Sequence, residues 1–157
     1  MKKIHLFALL LLMPVLFAYA NEDFWMSAGV DAAFFDYSYP AYSGSLSIGY
    51  GTGSAIGLKL SYFFIGEVIN TLELNIFFRI YIFGMESYEG PFVQLMGGPA
   101  LFNRTGEVSV PSYAGTFSAS LCFGWRFNFA EKFFAEAAVR GGFPFFAGIG
   151  VFAGVRF

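Results

Sequence analysis

Residues 71–83 read TLELNIFFRIYIF. Leu72, Leu74, Ile76, Phe78, Ile80 and Ile82 take alternate positions, with Thr71, Glu73, Asn75, Phe77, Arg79 and Tyr81 between them. Side chains of a strand point alternately to its two faces, so this stretch reads as a strand with one greasy face and one mostly polar face. The fold turns on which face meets the solvent, and on whether that solvent is water.

Composition argues against water. Charged residues make up 13% of the 157, hydrophobic residues 57% and aromatics 22%, and the mean hydropathy is +0.60; soluble domains carry roughly 25% charged residues. Residues 1–20 read as a secretory signal peptide: Lys2 and Lys3, the apolar run Leu6–Phe17, then the small-residue site Ala18-Tyr19-Ala20. Removing 20 residues leaves 137 from Asn21 onward, enough for one domain over 21–157. Beyond the leader no apolar run reaches the ~18 to 20 residues of a spanning helix. The nearest, 141–155, is broken by Pro144 and by Gly141, Gly142, Gly148, Gly150 and Gly154. A transmembrane β-barrel is the other arrangement that satisfies every backbone hydrogen bond within a bilayer.

Working outward from 71–83, seven more segments fit the ~9 to 11 residues of a tilted membrane strand. They lie near 25–37, 43–51, 55–65, 91–101, 113–127, 133–140 and 147–157. Their greasy phases include Val30 and Phe34, Leu46 and Ile48, Leu58 and Leu60, Val93 and Leu95, Leu121 and Phe123, Ala137 and Val139, Ile149 and Val151. The second phase is mostly small (Ser45, Ser47, Gly57, Ser61, Ser118, Ser120, Gly124, Gly150). Such residues suit the interior of an eight-stranded barrel, which is barely wide enough for side chains to fill, and they are poor cover against water. The greasy phase is therefore assigned to lipid and the small phase to the lumen. Asp31, Lys59, Glu73, Arg79, Arg126, Glu136, Arg140 and Arg156 all fall in the lumen phase, whereas a midplane Arg or Lys facing lipid costs ~2 to 4 kcal/mol. The expected fold is all-β: an eight-stranded antiparallel up-and-down transmembrane barrel.

The same residues limit the chemistry. After removal of the leader, seven Lys and Arg stand against eleven Asp and Glu, a net charge of −4 with no basic cluster, so nucleic acid is not an expected partner. Cys122 is the only cysteine and can form no internal disulfide. The only histidine, His5, lies in the leader, so the mature chain lacks the base that Ser–His or His–Asp catalysis needs, and no His or Cys set marks a metal site. No catalytic residue, cofactor or metal is expected. Glycine runs at 51–57 and 148–154 have the wrong spacing for a phosphate loop and open no helix.

With the N-terminus in the periplasm, the connections 51–54, 84–90 and 128–132 are periplasmic, and 38–42, 66–70, 102–112 and 141–146 face outside. Tyr37, Tyr39, Tyr42, Phe64 and Tyr113 would form an outer aromatic girdle, and Tyr50, Trp125, Phe127, Phe133 and Phe157 an inner one. In the outer loop GGFPFF, Phe143, Phe145 and Phe146 can rest on lipid headgroups, contact another protein, or form the mouth for a hydrophobic ligand. The eight lumen charges sum to +2. They form either a salt-bridged plug or a narrow anion-favouring passage, and a closed constriction would be built from Arg79, Arg126 and Glu136.

The last nine residues, IGVFAGVRF, alternate and stop on Phe157. That ending resembles the C-terminal assembly signal of bacterial outer-membrane proteins. With the export signal and eight segments, the mature chain resembles the small eight-stranded barrels of the OmpX, OmpA-transmembrane, opacity and OmpW groups. The resemblance implies a bacterial outer-membrane location, with outer-membrane lipid and the assembly machinery as partners, and a monomeric state. The leading expectation is a non-enzymatic surface protein with a structural role in envelope integrity or an adhesive role in contact with a host or environmental ligand. The alternative is a conduit for small or hydrophobic solutes.

Overall fold

The structure is a computed structural model describing residues 24–35, 39–65, 69–82, 89–104 and 112–157. The expected leader with its expected cleavage site, Tyr37 and the Tyr113 side chain lie outside them. Eight strands follow in chain order: β1 Phe24–Phe35, β2 Tyr39–Tyr50, β3 Ser54–Ile65, β4 Ile69–Tyr81, β5 Gly90–Arg104, β6 Ser112–Asn128, β7 Phe133–Phe143 and β8 Phe145–Arg156. Each pairs antiparallel with the next, and β1 pairs with β8, closing an up-and-down barrel.

The two-residue alternation of the sequence reappears as alternating burial. In β4, Thr71, Glu73, Asn75, Phe77, Arg79 and Tyr81 face the lumen, and Leu72, Leu74, Ile76, Phe78 and Ile80 face out. The outer surface carries Val30, Leu46, Ile56, Leu58, Leu60, Leu95, Phe117, Phe123, Val139, Ile149 and Val151 as one apolar belt. Tyr39, Tyr42 and Phe64 edge it at one end; Tyr50, Trp125, Phe127, Phe133 and Phe157 edge it at the other. The terminal end is closed by tight connections. Gly51, with φ +121°, opens the β2–β3 turn in a conformation that L side chains rarely adopt. The Phe157 N–H donates to the Phe24 carbonyl at 2.9 Å, and their rings lie 5.7 Å apart.

Strands reach further at the opposite end than alternation alone indicates. Residues 39–42, 69–70 and 102–104, expected in loops, are strand. The expected loop 141–146 is corrected most: β7 runs to Phe143, β8 begins at Phe145, and Pro144 alone separates them. Along β1, Phe34 pairs with Ala147 and Phe35 with Phe145, so Phe146 is the extra residue of a bulge. That bulge reverses the phase of β8. Phe145 turns into the barrel and is fully buried, while Phe143 and Phe146 stay exposed.

Candidate functional site

Among the described residues polar chemistry is concentrated in the lumen, and it is layered. At the end remote from the termini, Phe145 stacks on Phe63 with ring centroids 4.0 Å apart, and Phe35 lies 5.9 Å from Phe145 and 5.7 Å from Phe102. Ala33, Ala41 and Ile65 fill the space around them. This is an apolar stopper.

Below it sit two ion pairs. Lys59 Nζ lies 3.1 Å from Asp31 Oδ2, and the Ser45 and Ser43 hydroxyls donate to the same oxygen at 2.6 and 3.2 Å. The Ser45 and Ser61 hydroxyls lie 3.0 Å apart. Across the barrel Arg140 Nη1 lies 3.5 Å from Glu73 Oε2, and Asn75 donates to that oxygen at 3.3 Å while accepting from Ser118 at 2.6 Å. The β2 serines therefore satisfy the Asp31 carboxylate directly, while Ser61 of β3 and Ser118 of β6 bond the neutral groups beside the two pairs, Ser45 and Asn75.

Nearer the termini, Glu136 is gripped by two guanidinium groups. It accepts from Arg79 Nη1 at 2.5 Å and Nη2 at 3.2 Å, and from Arg126 Nε at 2.6 Å. Gln94 and Tyr81 accept two further Arg79 N–H groups at 2.8 and 3.1 Å. Aromatic faces close the rest: Arg79 lies 3.9 Å from the Phe92 centroid, and Arg126 lies 3.8 Å from that of Phe134 and 4.4 Å from that of Trp25. Desolvation of such charges is tolerated only where partners and hydrogen bonds are dense, and here they are. Between the two charged layers the space remaining is about 20 Å³, roughly one water molecule.

Of the eight charges assigned to the lumen by alternation, Asp31, Lys59, Glu73, Arg79, Arg126, Glu136 and Arg140 are brought together in these layers. Arg156 shares their phase but sits at the terminal rim, where its Nη2 donates to the Glu131 carbonyl of the β6–β7 turn. Sequence reasoning set Phe77 and Tyr81 on the polar face of 71–83 but did not single out the other inward aromatics, Trp25, Phe63, Phe92 and Phe134. Their signal was their phase: Trp25, Phe63 and Phe134 lie an even number of residues from Asp31, Lys59 and Glu136 on their own strands, and Phe92 lies two from Gln94. Cys122 is buried in the lumen wall. Among the described residues no group of three or more His, Cys, Asp or Glu could hold a metal ion.

Outside, β6 is paired with β5 from Ser112 but with β7 only from Ala119 onward. A groove of about 620 Å³ opens there, walled by Phe35, Phe102, Thr116, Phe143, Pro144 and Phe146. The apolar stopper forms its floor through Phe35 and Phe102.

A closed eight-stranded antiparallel barrel with an apolar belt outside and paired charge inside is the fold of the small bacterial outer-membrane barrels. Three solved structures make the likeness concrete. Neisserial surface protein A superposes with a TM-score of 0.69 at 12% identity, over 85% of this chain and 97% of that one. The N-terminal β-barrel domain of Pseudomonas aeruginosa OprF gives 0.61 at 21% identity, over 87% and 98%. Ail, the attachment invasion locus protein of Yersinia pestis, solved with the heparin analogue sucrose octasulfate, gives 0.55 at 11% identity, over 85% and 95%. No protein-family model matches the chain, and no curated protein matches it in sequence.

Proposed function

We propose that this chain is a non-enzymatic integral protein of a bacterial outer membrane, exported with loss of residues 1–20 and inserted as a monomeric barrel over 21–157. Its lumen is a structural plug, and its work is done by the envelope-embedded wall and the outward end. The observation that carries this reading is the filled lumen: seven buried charges in ion-paired layers between aromatic clusters, with a cavity of only about 20 Å³ between the charged layers. A solute path would need a file of water through that cross-section, so the conduit reading is the weaker one. The absence of histidine after position 5 supports a non-enzymatic role.

Lipid is the principal partner. The lateral groove continues the apolar belt at Phe143 and Phe146, so acyl chains of the outer leaflet cover it and the exposed edge of β6. Phe157, hydrogen-bonded at the barrel seam, is the residue offered to the assembly machinery. The outer connections and the strand ends beside them carry Asp36, Glu67 and Glu107 against one cation, Arg104. That mild acidic excess favours an apolar or cationic surface ligand over a sulfated one of the kind bound by Ail.

Planar-bilayer recording of the purified barrel tests the plug. No unitary conductance is expected, and reproducible ion-selective openings would overturn the plug in favour of a conduit.

A further inference from the structure

The sheet is left open along one edge at the outward end. β6 pairs with β5 from Ser112 onward, but β7 joins it only at Ala119, opposite Phe143. Among the described residues no strand lies beside 112–118 on their β7 side, which leaves roughly 20 Å of edge at ~3.3 Å per residue. Contacts lower down fix the direction of the backbone groups. The Ala119 carbonyl oxygen is turned to Gly142 of β7, and the Ser118 carbonyl oxygen to Gly97 of β5. Polar groups alternate along a strand, so Gly115 and Phe117 aim N–H and C=O at the groove, whereas Thr116 and Ser118 direct theirs to β5.

Few occupants suit that edge. Acyl chains fill an apolar groove, but hydrocarbon offers nothing to an N–H or C=O, and open sheet edges are not left against it. A second copy in the same bilayer is related by an axis along the membrane normal. Facing strands, each tilted ~35 to 45°, then cross at about twice that angle, too steep to share a ladder. An extended peptide fits, because it carries donors and acceptors in the same alternation as the edge. The groove also has room for its side chains. β6 presents only Ala114, Gly115 and Thr116 to the groove of about 620 Å³, which Phe35 and Phe102 floor and Phe143, Pro144 and Phe146 wall. Both faces of an added strand would meet apolar surface, and the mild acidic excess of the outer connections suits basic residues at its ends.

We propose that the open edge of β6 is a β-augmentation site, at which an extended apolar peptide of another protein adds as a short strand bonded to Gly115 and Phe117. Acyl chains occupy the groove of the free barrel, and the peptide displaces them. The inference rests on the proposed surface role and names its partner chemistry. The two fail separately, because conductance reports on the plug whether or not a peptide binds beside it.

The test uses the barrel in detergent micelles and a synthetic strand of alternating Val and Phe between Lys ends, N-methylated at alternate amides so that one edge alone can pair. Amide hydrogen exchange read by NMR is the direct measure. In the free barrel the Gly115 and Phe117 amides are expected to exchange fast and those of Thr116 and Ser118 slowly. Saturating peptide is expected to slow the first two by about tenfold or more, as they are drawn into a ladder. The same peptide methylated on both edges should not bind. Gly115→Pro removes one edge donor, which an edge strand tolerates, and should weaken binding about tenfold. Gly44→Ala, where a methyl group meets nothing within 4 Å, should bind as the parent does. Slow Gly115 and Phe117 amides in the free barrel, no slowing with peptide, equal binding of the doubly methylated peptide, full binding by Gly115→Pro, or protection by dodecanoate in place of peptide would each overturn the proposal.

Discussion

Replacing Glu136 by Gln should be among the most damaging single changes available in this barrel, although it alters neither shape nor volume. Glu136 accepts three N–H bonds from Arg79 and Arg126, whose side chains are almost wholly enclosed. Gln retains one acceptor oxygen but offers an N–H pair toward one of the guanidinium groups and leaves two buried cations without a counter-ion. Breaking a buried pair in this way costs about 3 to 5 kcal/mol, roughly two to three and a half powers of ten in the folding equilibrium at ~1.4 kcal/mol per decade. Two cations share this carboxylate, so the upper half of the range applies. Denaturant titration of the barrel in lipid vesicles measures the loss, with Glu136→Gln also placed in an Arg79→Met, Arg126→Met background. There the same change should be neutral or stabilising, because with both guanidinium groups gone the Glu136 carboxylate is the uncompensated buried charge and Gln removes it. A Glu136→Gln variant within ~1 kcal/mol of the parent in the native background would refute the view that this triad is a desolvated structural unit.

Three other substitutions probe the wall, the stopper and the strand spacing. Leu74→Arg, at the middle of the outer face of β4, should cost ~2 to 4 kcal/mol in vesicle unfolding, and an unchanged midpoint would place that face in water. Phe145→Ala removes a fully enclosed ring stacked on Phe63 and should cost ~3 to 5 kcal/mol; Phe143→Ala, exposed next to it, should cost a small fraction of that, and equal losses would contradict the inward turn of Phe145. Gly98→Ala drives a methyl group against the Leu74 carbonyl oxygen of the neighbouring strand, whereas Gly44→Ala meets nothing within 4 Å. Refolding yield should fall for the first, by an overpacking cost of ~1 to 3 kcal/mol, and hold for the second; matched yields would show that β4 and β5 are not so closely spaced.

How much of this was legible beforehand varied with the kind of signal. Leu72 through Ile82 alternate with polar residues, so their phase declares itself, and the charges Glu73 and Arg79 mark the inner face of the same strand. Partnership was not legible. Arg79 and Glu136 are 57 positions apart, and whether they meet depends on the relative stagger of β4 and β7 around the barrel, which no local pattern encodes. Trp25, Phe63, Phe92 and Phe134 were hidden for a different reason. Phe63 and Phe64 are adjacent and chemically identical, yet one stacks on Phe145 inside and the other faces out, and hydrophobicity alone cannot tell a lumen filler from a lipid contact. The tip GGFPFF looked like a loop because Gly and Pro punctuate it. The neighbouring strand holds it in the sheet instead, and the bulge at Phe146 reverses the phase at Phe145.

Everything rests on the greasy phase meeting hydrocarbon, and the chain carries its own two reporters of that. Trp125 is 47% exposed on the outer face near the terminal end, while Trp25 is 0% exposed inside the lumen, and these are the only tryptophans. Single-tryptophan variants Trp25→Phe and Trp125→Phe, reconstituted with brominated phospholipid, separate their emissions. Strong quenching of Trp125 with Trp25 left bright is the expected result; a quenched Trp25, or a Trp125 that responds only to a water-soluble quencher, would contradict it.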